Sequence, residues 1–186
     1  MRLFIALKVP DAWRAAAHDA TATLVRTSEV PLRAVDPALL HLTLRFLGEV
    51  PDEALRALVA ALEEHVPPIE VALELAAAGS FGRPERTQVV WLGVAGDLDA
   101  LHVLAARVET AVRAAGLPPE DRPLRPHLTL ARLGRQLSAA DRSAVAEAAR
   151  ALPAPAPHPH RASEAVLVRS YLGGPAPRYE VLARIR

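Results

Sequence analysis

The order of apolar and polar positions divides the chain into short strands and amphipathic helices. Residues 2–9 form a nearly unbroken apolar run that reads as a buried strand, stopped at Pro10 and Asp11. An alanine-rich helix over 12–27 follows. At 40–46 the period becomes two: Leu42, Leu44 and Phe46 alternate with His41, Thr43 and Arg45, which predicts a strand with its apolar face in the core. Pro51 sits at an expected first helical position and opens a helix to 65, with Leu55, Leu58, Val59 and Leu62 on one stripe. Strands are expected over 69–76 and 87–94, joined by a turn from Gly79 to Pro84. A helix over 98–115 ends at Gly116 and Pro118, and a strand over 127–132 comes next. Ser138 with Asp141 three residues on is a capping signature for a helix to 151. The proline-rich stretch 153–160 reads as an extended connector, and closing strands over 164–170 and 179–185 flank a turn at Gly173-Gly174-Pro175.

Strands that neighbour one another through short turns favour an α+β fold with antiparallel sheets over a parallel βαβ array. The strands at 40–46 and 127–132 are each followed by a helix. That repetition predicts a single bilobal domain over 1–186, pseudo-two-fold, with helices outside and a central cleft.

Composition narrows the class. Of 186 residues 51% are apolar and 23% charged, enough to build a substantial core. The chain has no cysteine, which excludes disulfides, thiolate nucleophiles and sulfur-ligated zinc. No apolar stretch approaches a bilayer span, and Lys8 interrupts the opening run, so the expectation is a cytoplasmic monomer with no membrane partner. The net charge of +1 is weak for a protein that coats nucleic acid. Any nucleic-acid partner is then gripped over a short stretch or at an end.

The chemistry is concentrated in an eight-residue segment that occurs twice. His41-Leu42-Thr43-Leu44-Arg45-Phe46-Leu47-Gly48 returns as His127-Leu128-Thr129-Leu130-Ala131-Arg132-Leu133-Gly134, with six of eight positions identical. On a strand, side chains two apart share a face, so each copy projects an imidazole with a hydroxyl while its leucines face the core. A structural histidine has no reason to recur with threonine at the same offset and the same Leu-Gly exit. Histidine titrates near pH 6.5, so one ring can accept a proton while a second donates one. Threonine hydroxyls can hold non-bridging phosphate oxygens between the rings. No metal is required, since neither copy has carboxylates or further histidines at ligand spacing.

The remaining candidates carry less. Arg45 follows the His–Thr parity and would reach the same cleft to bind phosphate. Arg132 lies three beyond Thr129, so a bend or strand end must redirect it there. Phe46 and Trp91 are expected in the core, while Phe81 and Tyr171, near turns, are the candidates for stacking on a base. His18, His65 and His102 fall in helices, and His158 and His160 in the connector.

The paired His-Leu-Thr-Leu motifs resemble the two HxT motifs of the two-histidine (2H) phosphoesterases, and more narrowly the RNA 2′,3′-cyclic phosphodiesterases, also called the 2′-5′ RNA ligase family. The resemblance extends to Arg2-Leu3-Phe4-Ile5-Ala6-Leu7, Glu49-Val50, Phe81-Gly82, Val89-Val90-Trp91-Leu92-Gly93-Val94, Arg125-Pro126, Ser170-Tyr171-Leu172 and Tyr179. It departs at Ala34 and Leu124, where an aromatic is expected. The resemblance implies a bilobal α+β fold with one HxT on each lobe of a cleft. It also implies metal- and cofactor-independent opening of RNA 2′,3′-cyclic phosphate ends, or of cyclic nucleotides, to 2′-phosphates. His41 would then be the proton donor and His127 the proton acceptor, with Thr43 and Thr129 on the phosphate. The motif itself is symmetric and leaves the two roles open. Reversible 2′-5′ RNA ligation in the same site and a non-catalytic RNA-end binding module are the alternatives.

Overall fold

The computed structural model describes residues 1–173 and 177–186. In chain order the elements are β1 (Arg2–Lys8), α1 (Asp11–Ser28), β2 (Leu32–Ala34), β3 (His41–Glu49), α2 (Leu55–His65), β4 (Val71–Ser80) and β5 (Val89–Gly96). They continue with α3 (Leu98–Ala114), β6 (His127–Leu133), α4 (Ala139–Arg150), β7 (His160–Ala162), β8 (Ala165–Tyr171) and β9 (Arg178–Ile185). Two antiparallel sheets result, ordered β3-β1-β8-β9 and β2-β6-β5-β4-β7. This is the expected α+β architecture with antiparallel sheets.

Local signals account for most element ends. Ser138 and Asp141 form the reciprocal capping box at the start of α4. Gly116 takes φ +74° just after α3, a left-handed conformation that glycine adopts without a Cβ penalty. Pro51 does not begin α2: it precedes a 3₁₀ turn over Asp52–Ala54, and α2 starts at Leu55. β4 runs through Gly79 to Ser80, so the turn starts only at Phe81. β2 and β7 are three-residue edge strands, too short to impose a period on the sequence. The connector leads into β7, and Trp13 Nε1 on α1 donates to the His158 carbonyl at 2.7 Å. Gly174 and Pro175 of the expected last turn lie outside the described residues.

α2 and α4 stay with the sheet of the strand they follow, but α1 and α3 do not. α1 leaves β1 of the four-stranded sheet and packs on α4 and β6 of the five-stranded one. Conversely α3 leaves β5 of the five-stranded sheet and packs on α2 and on β3 of the other. One contiguous apolar cluster runs through both, from Leu3, Ile5 and Leu7 of β1 to Leu128 and Leu130 of β6. The opposite face of the four-stranded sheet carries a smaller cluster of Phe4, Ala6, Val166 and Val168, with Tyr179 against it. That face is the wall of the site.

Candidate active site

His41 and His127 are the first residues of β3 and β6. In each copy the following leucines are buried: Leu42 is 1% exposed, Leu44 6%, Leu128 0% and Leu130 1%. The histidines and threonines, half-buried, lie on the other face. Each ring is held in the same way. His41 Nδ1 bonds the Leu39 carbonyl at 2.7 Å, and His127 Nδ1 bonds the Arg125 carbonyl at 2.7 Å. A carbonyl only accepts, so Nδ1 carries the hydrogen in both rings and Nε2 is left for a substrate.

A β-bulge also recurs at the same place in each copy. Opposite β1, the register passes from Ile5↔Arg45 to Ala6↔Thr43 and skips Leu44. Opposite β5, it passes from Val90↔Ala131 to Trp91↔Thr129 and skips Leu130. The extra residue inverts the parity of the residues that directly follow it. The fifth residue of each copy therefore turns toward the core side and the sixth toward the His–Thr face. Arg132 reaches the histidines by this route. Phe46, expected in the core, is instead 41% exposed on the cleft side, with the Arg2 guanidinium 4.6 Å over its ring.

The same inversion changes how Arg45 is held, although it still lines the cleft beside Thr43 and His127. Its Nε donates to Glu109 Oε2 at 2.9 Å on α3, and its terminal nitrogens donate to the carbonyls of Phe46 and Pro118 at 2.6 and 2.7 Å. It borders the cleft as a clamp between β3 and the segment before β6. The expectation for Tyr171 is corrected. Its register partner is Arg178, on the face away from His41. The Arg178 and Arg169 guanidinium groups cover its ring at 3.7 and 4.6 Å, and its hydroxyl donates to Glu180.

Aromatic rings buttress both imidazoles. His41 stacks on Phe4 at 4.5 Å and meets Tyr179 edge-on at 5.5 Å. His127 meets Phe81 edge-on at 4.8 Å, and Phe81 lies 5.4 Å from Trp91. Trp91, expected in the core, is half-buried on the cleft face opposite Thr129. Its ring lies over Gly79, where a Cβ would come within 2.6 Å of it. Tyr179 had no expected site role, although it opens a closing strand; its pairing with Ser170 puts it on the same face as Phe4.

Burial depresses the pKa of both His41 and His127, the carbonyl bonds partly oppose this, and the nearby positive charge of Arg132 adds to the depression. For His41 the charge of His127 contributes as well. Burial raises Tyr179. A hollow of about 410 Å³ opens between the sheets, lined by Thr43, Phe46, Phe81, Leu124, Arg125 and His127. A second hollow of about 420 Å³ surrounds Glu164 and holds none of the repeated residues. There Lys8, Arg184 and Arg186 bind the carboxylate at 2.7–3.0 Å and hold it at about 2. Among the described residues no three His, Asp or Glu side chains are grouped as metal ligands.

Residues 8–173 match the model of the 2′-5′ RNA ligase superfamily. An RNA 2′,3′-cyclic phosphodiesterase of Thermus thermophilus is 34% identical over 99% of this chain and 89% of that protein. One from Aeropyrum pernix is 36% identical over a shorter stretch, 56% of this chain and 58% of that protein. A Thermus thermophilus crystal structure superposes with a TM-score of 0.79 at 28% identity, covering 100% of this chain and 97% of the other. Escherichia coli LigT in complex with 3′-AMP superposes with a TM-score of 0.76 at 28% identity, covering 98% and 95%.

Proposed function

The chain belongs to the 2′-5′ RNA ligase superfamily, and from that premise we propose that it hydrolyses RNA 2′,3′-cyclic phosphate ends to 2′-phosphomonoesters without a metal. The observation that carries the reading is the pair of histidines held alike through Nδ1, each with Nε2 left over, and near enough for the charge of His127 to act on His41. In the proposed reaction His127 Nε2 takes a proton from water as it attacks phosphorus. His41, protonated, gives its Nε2 proton to the departing 3′ oxygen, which leaves the phosphate on the 2′ position. Thr43 and Thr129 donate hydrogen bonds to the non-bridging oxygens, and Arg132 supplies positive charge beside them. Each positioned proton transfer is worth about 10²–10⁴ in rate.

The test is an assay of purified protein with EDTA on a short RNA ending in a 2′,3′-cyclic phosphate. The expected product is a 2′-phosphate, and His41→Asn or His127→Asn lowers turnover by about 10²–10⁴. Near-normal activity in either variant, or tight end-binding without turnover, overturns the reading. Because both histidines sit below their ordinary value near 6.5, kcat/KM is expected to be bell-shaped with its optimum on the acid side of that value. The superfamily match also carries ligation. A 5′-hydroxyl strand in place of water would use the same two groups, and adding such a strand to the assay reads that reaction directly. The proposal extends to a cytoplasmic monomer. Among the described residues no helix is long and apolar enough to cross a membrane, and sedimentation tests the oligomeric state.

A further inference from the structure

The two repeats differ in what lies beside them. β3 is an edge of its sheet, whereas β6 has β2 on its outer side. Across that ladder Leu32 and Ala34 face Leu133 and Ala131 on the core side, so the one side chain β2 gives the cleft face is Arg33, directly opposite Arg132. Both arginines are exposed. Among the described residues no carboxylate lies within ion-pair distance of either. Like charges placed directly opposite one another repel and weaken a strand pairing. A pairing that keeps them suits an anion held between or alongside the two groups. Arg132 is committed to the neighbourhood of the histidines, and Arg33 stands one strand further out.

We propose that Arg33 is a specificity-determining residue that binds the phosphodiester next to the reacting phosphate, so that the preferred substrate is the end of an RNA strand and not a lone cyclic nucleotide. This rests on the cyclic-phosphate reading above and deepens it. Side chains opposite one another on adjacent strands begin about 5 Å apart at Cβ, and two long arginines on that base straddle successive phosphates of one strand. A single added contact also agrees with the small net charge of +1.

The experiment compares a 2′,3′-cyclic mononucleotide bearing a 5′ hydroxyl with the dinucleotide that has the same cyclic end and one internal phosphodiester. The wild-type protein is expected to prefer the dinucleotide in kcat/KM by about tenfold, the scale of one charge-assisted contact, with the difference in KM. In Arg33→Ala and Arg33→Gln the ratio falls toward one, and Arg33→Lys restores part of it. A dinucleotide with an uncharged methylphosphonate linkage should behave like the mononucleotide in the wild-type protein. An unchanged ratio in the variants, or a neutral linkage that works as well as the charged one, overturns the proposal. Equilibrium binding of the 2′-phosphate mono- and dinucleotide keeps the two readings apart, since it reports on Arg33 even if no cyclic end is opened. There Arg33→Ala should lower the salt slope of dinucleotide binding by about 0.7, and an unchanged slope counts against the subsite. Thermal unfolding of each variant confirms that this exposed edge residue leaves the fold intact.

Discussion

An imidazole that donates Nδ1–H to the carbonyl two residues earlier has its tautomer and its ring plane chosen before any substrate arrives. Each ring then needs only a face to rest on, which Phe4 supplies for His41 and Phe81 for His127. The arrangement has a cost in stability that pH exposes. In the unfolded chain both groups titrate near 6.5, and in the folded one burial holds them lower. Between those values the unfolded state binds more protons, so stability falls as pH drops through 6.5 and is level above it. His160, also lowered by burial, acts with the same sign. The expected result is a Tm that declines between pH 7.5 and pH 5. The decline should be smaller in a His41→Asn/His127→Asn double variant, in which asparagine can still donate toward the carbonyl. Parallel declines in the two proteins would mean that other groups set the acid sensitivity.

At the scale of single elements, β4 and β5 depend on a missing Cβ. Gly79→Ala brings a methyl within 2.6–2.8 Å of the outer ring atoms of Trp91, and such overpacking costs about 1–3 kcal/mol. Most of that cost should vanish in a Trp91→Leu background, and a double-mutant cycle in denaturant measures it. A penalty that survives the loss of the indole would place the strain elsewhere. Strands and helices of ordinary length were legible from apolar spacing, as were both His–Thr pairs, because strand alternation holds from His41 to Leu44 and from His127 to Leu130. Beyond those leucines the alternation misleads. A bulge adds one residue without demanding a particular side chain, so nothing in the sequence marks where the parity of Phe46 and Arg45 turns over. The bend that Arg132 required is that same bulge. Tyr171 was singled out by its nearness to a turn, which says nothing of which face a residue takes. The pairing with β9 decides that, and it favours Tyr179.

At the scale of the molecule, each sheet is covered by a helix that the other sheet's strands lead into. Each sheet keeps one helix of its own, α2 or α4, and takes one from the other, so unfolding is expected as one cooperative transition, with circular dichroism and tryptophan fluorescence reporting the same midpoint. Trp13 on α1 and Trp91 on β5 both lie against the five-stranded sheet, so fluorescence follows that lobe while circular dichroism follows both. Two separated midpoints would show the lobes to be independent. The strand order of the first sheet has a further consequence, in time and not in space. β1 and β3 are made early and pair with each other, yet β1's other flank stays bare until β8 is synthesised, and Tyr179 of β9 reaches His41 later still. A ribosome-bound chain that stops short of β8 therefore carries both histidines but only half a wall behind one of them. The support behind His41 is thus completed only by strands that follow the second histidine in the chain, so a nascent protein carries both imidazoles before one of them is fully backed.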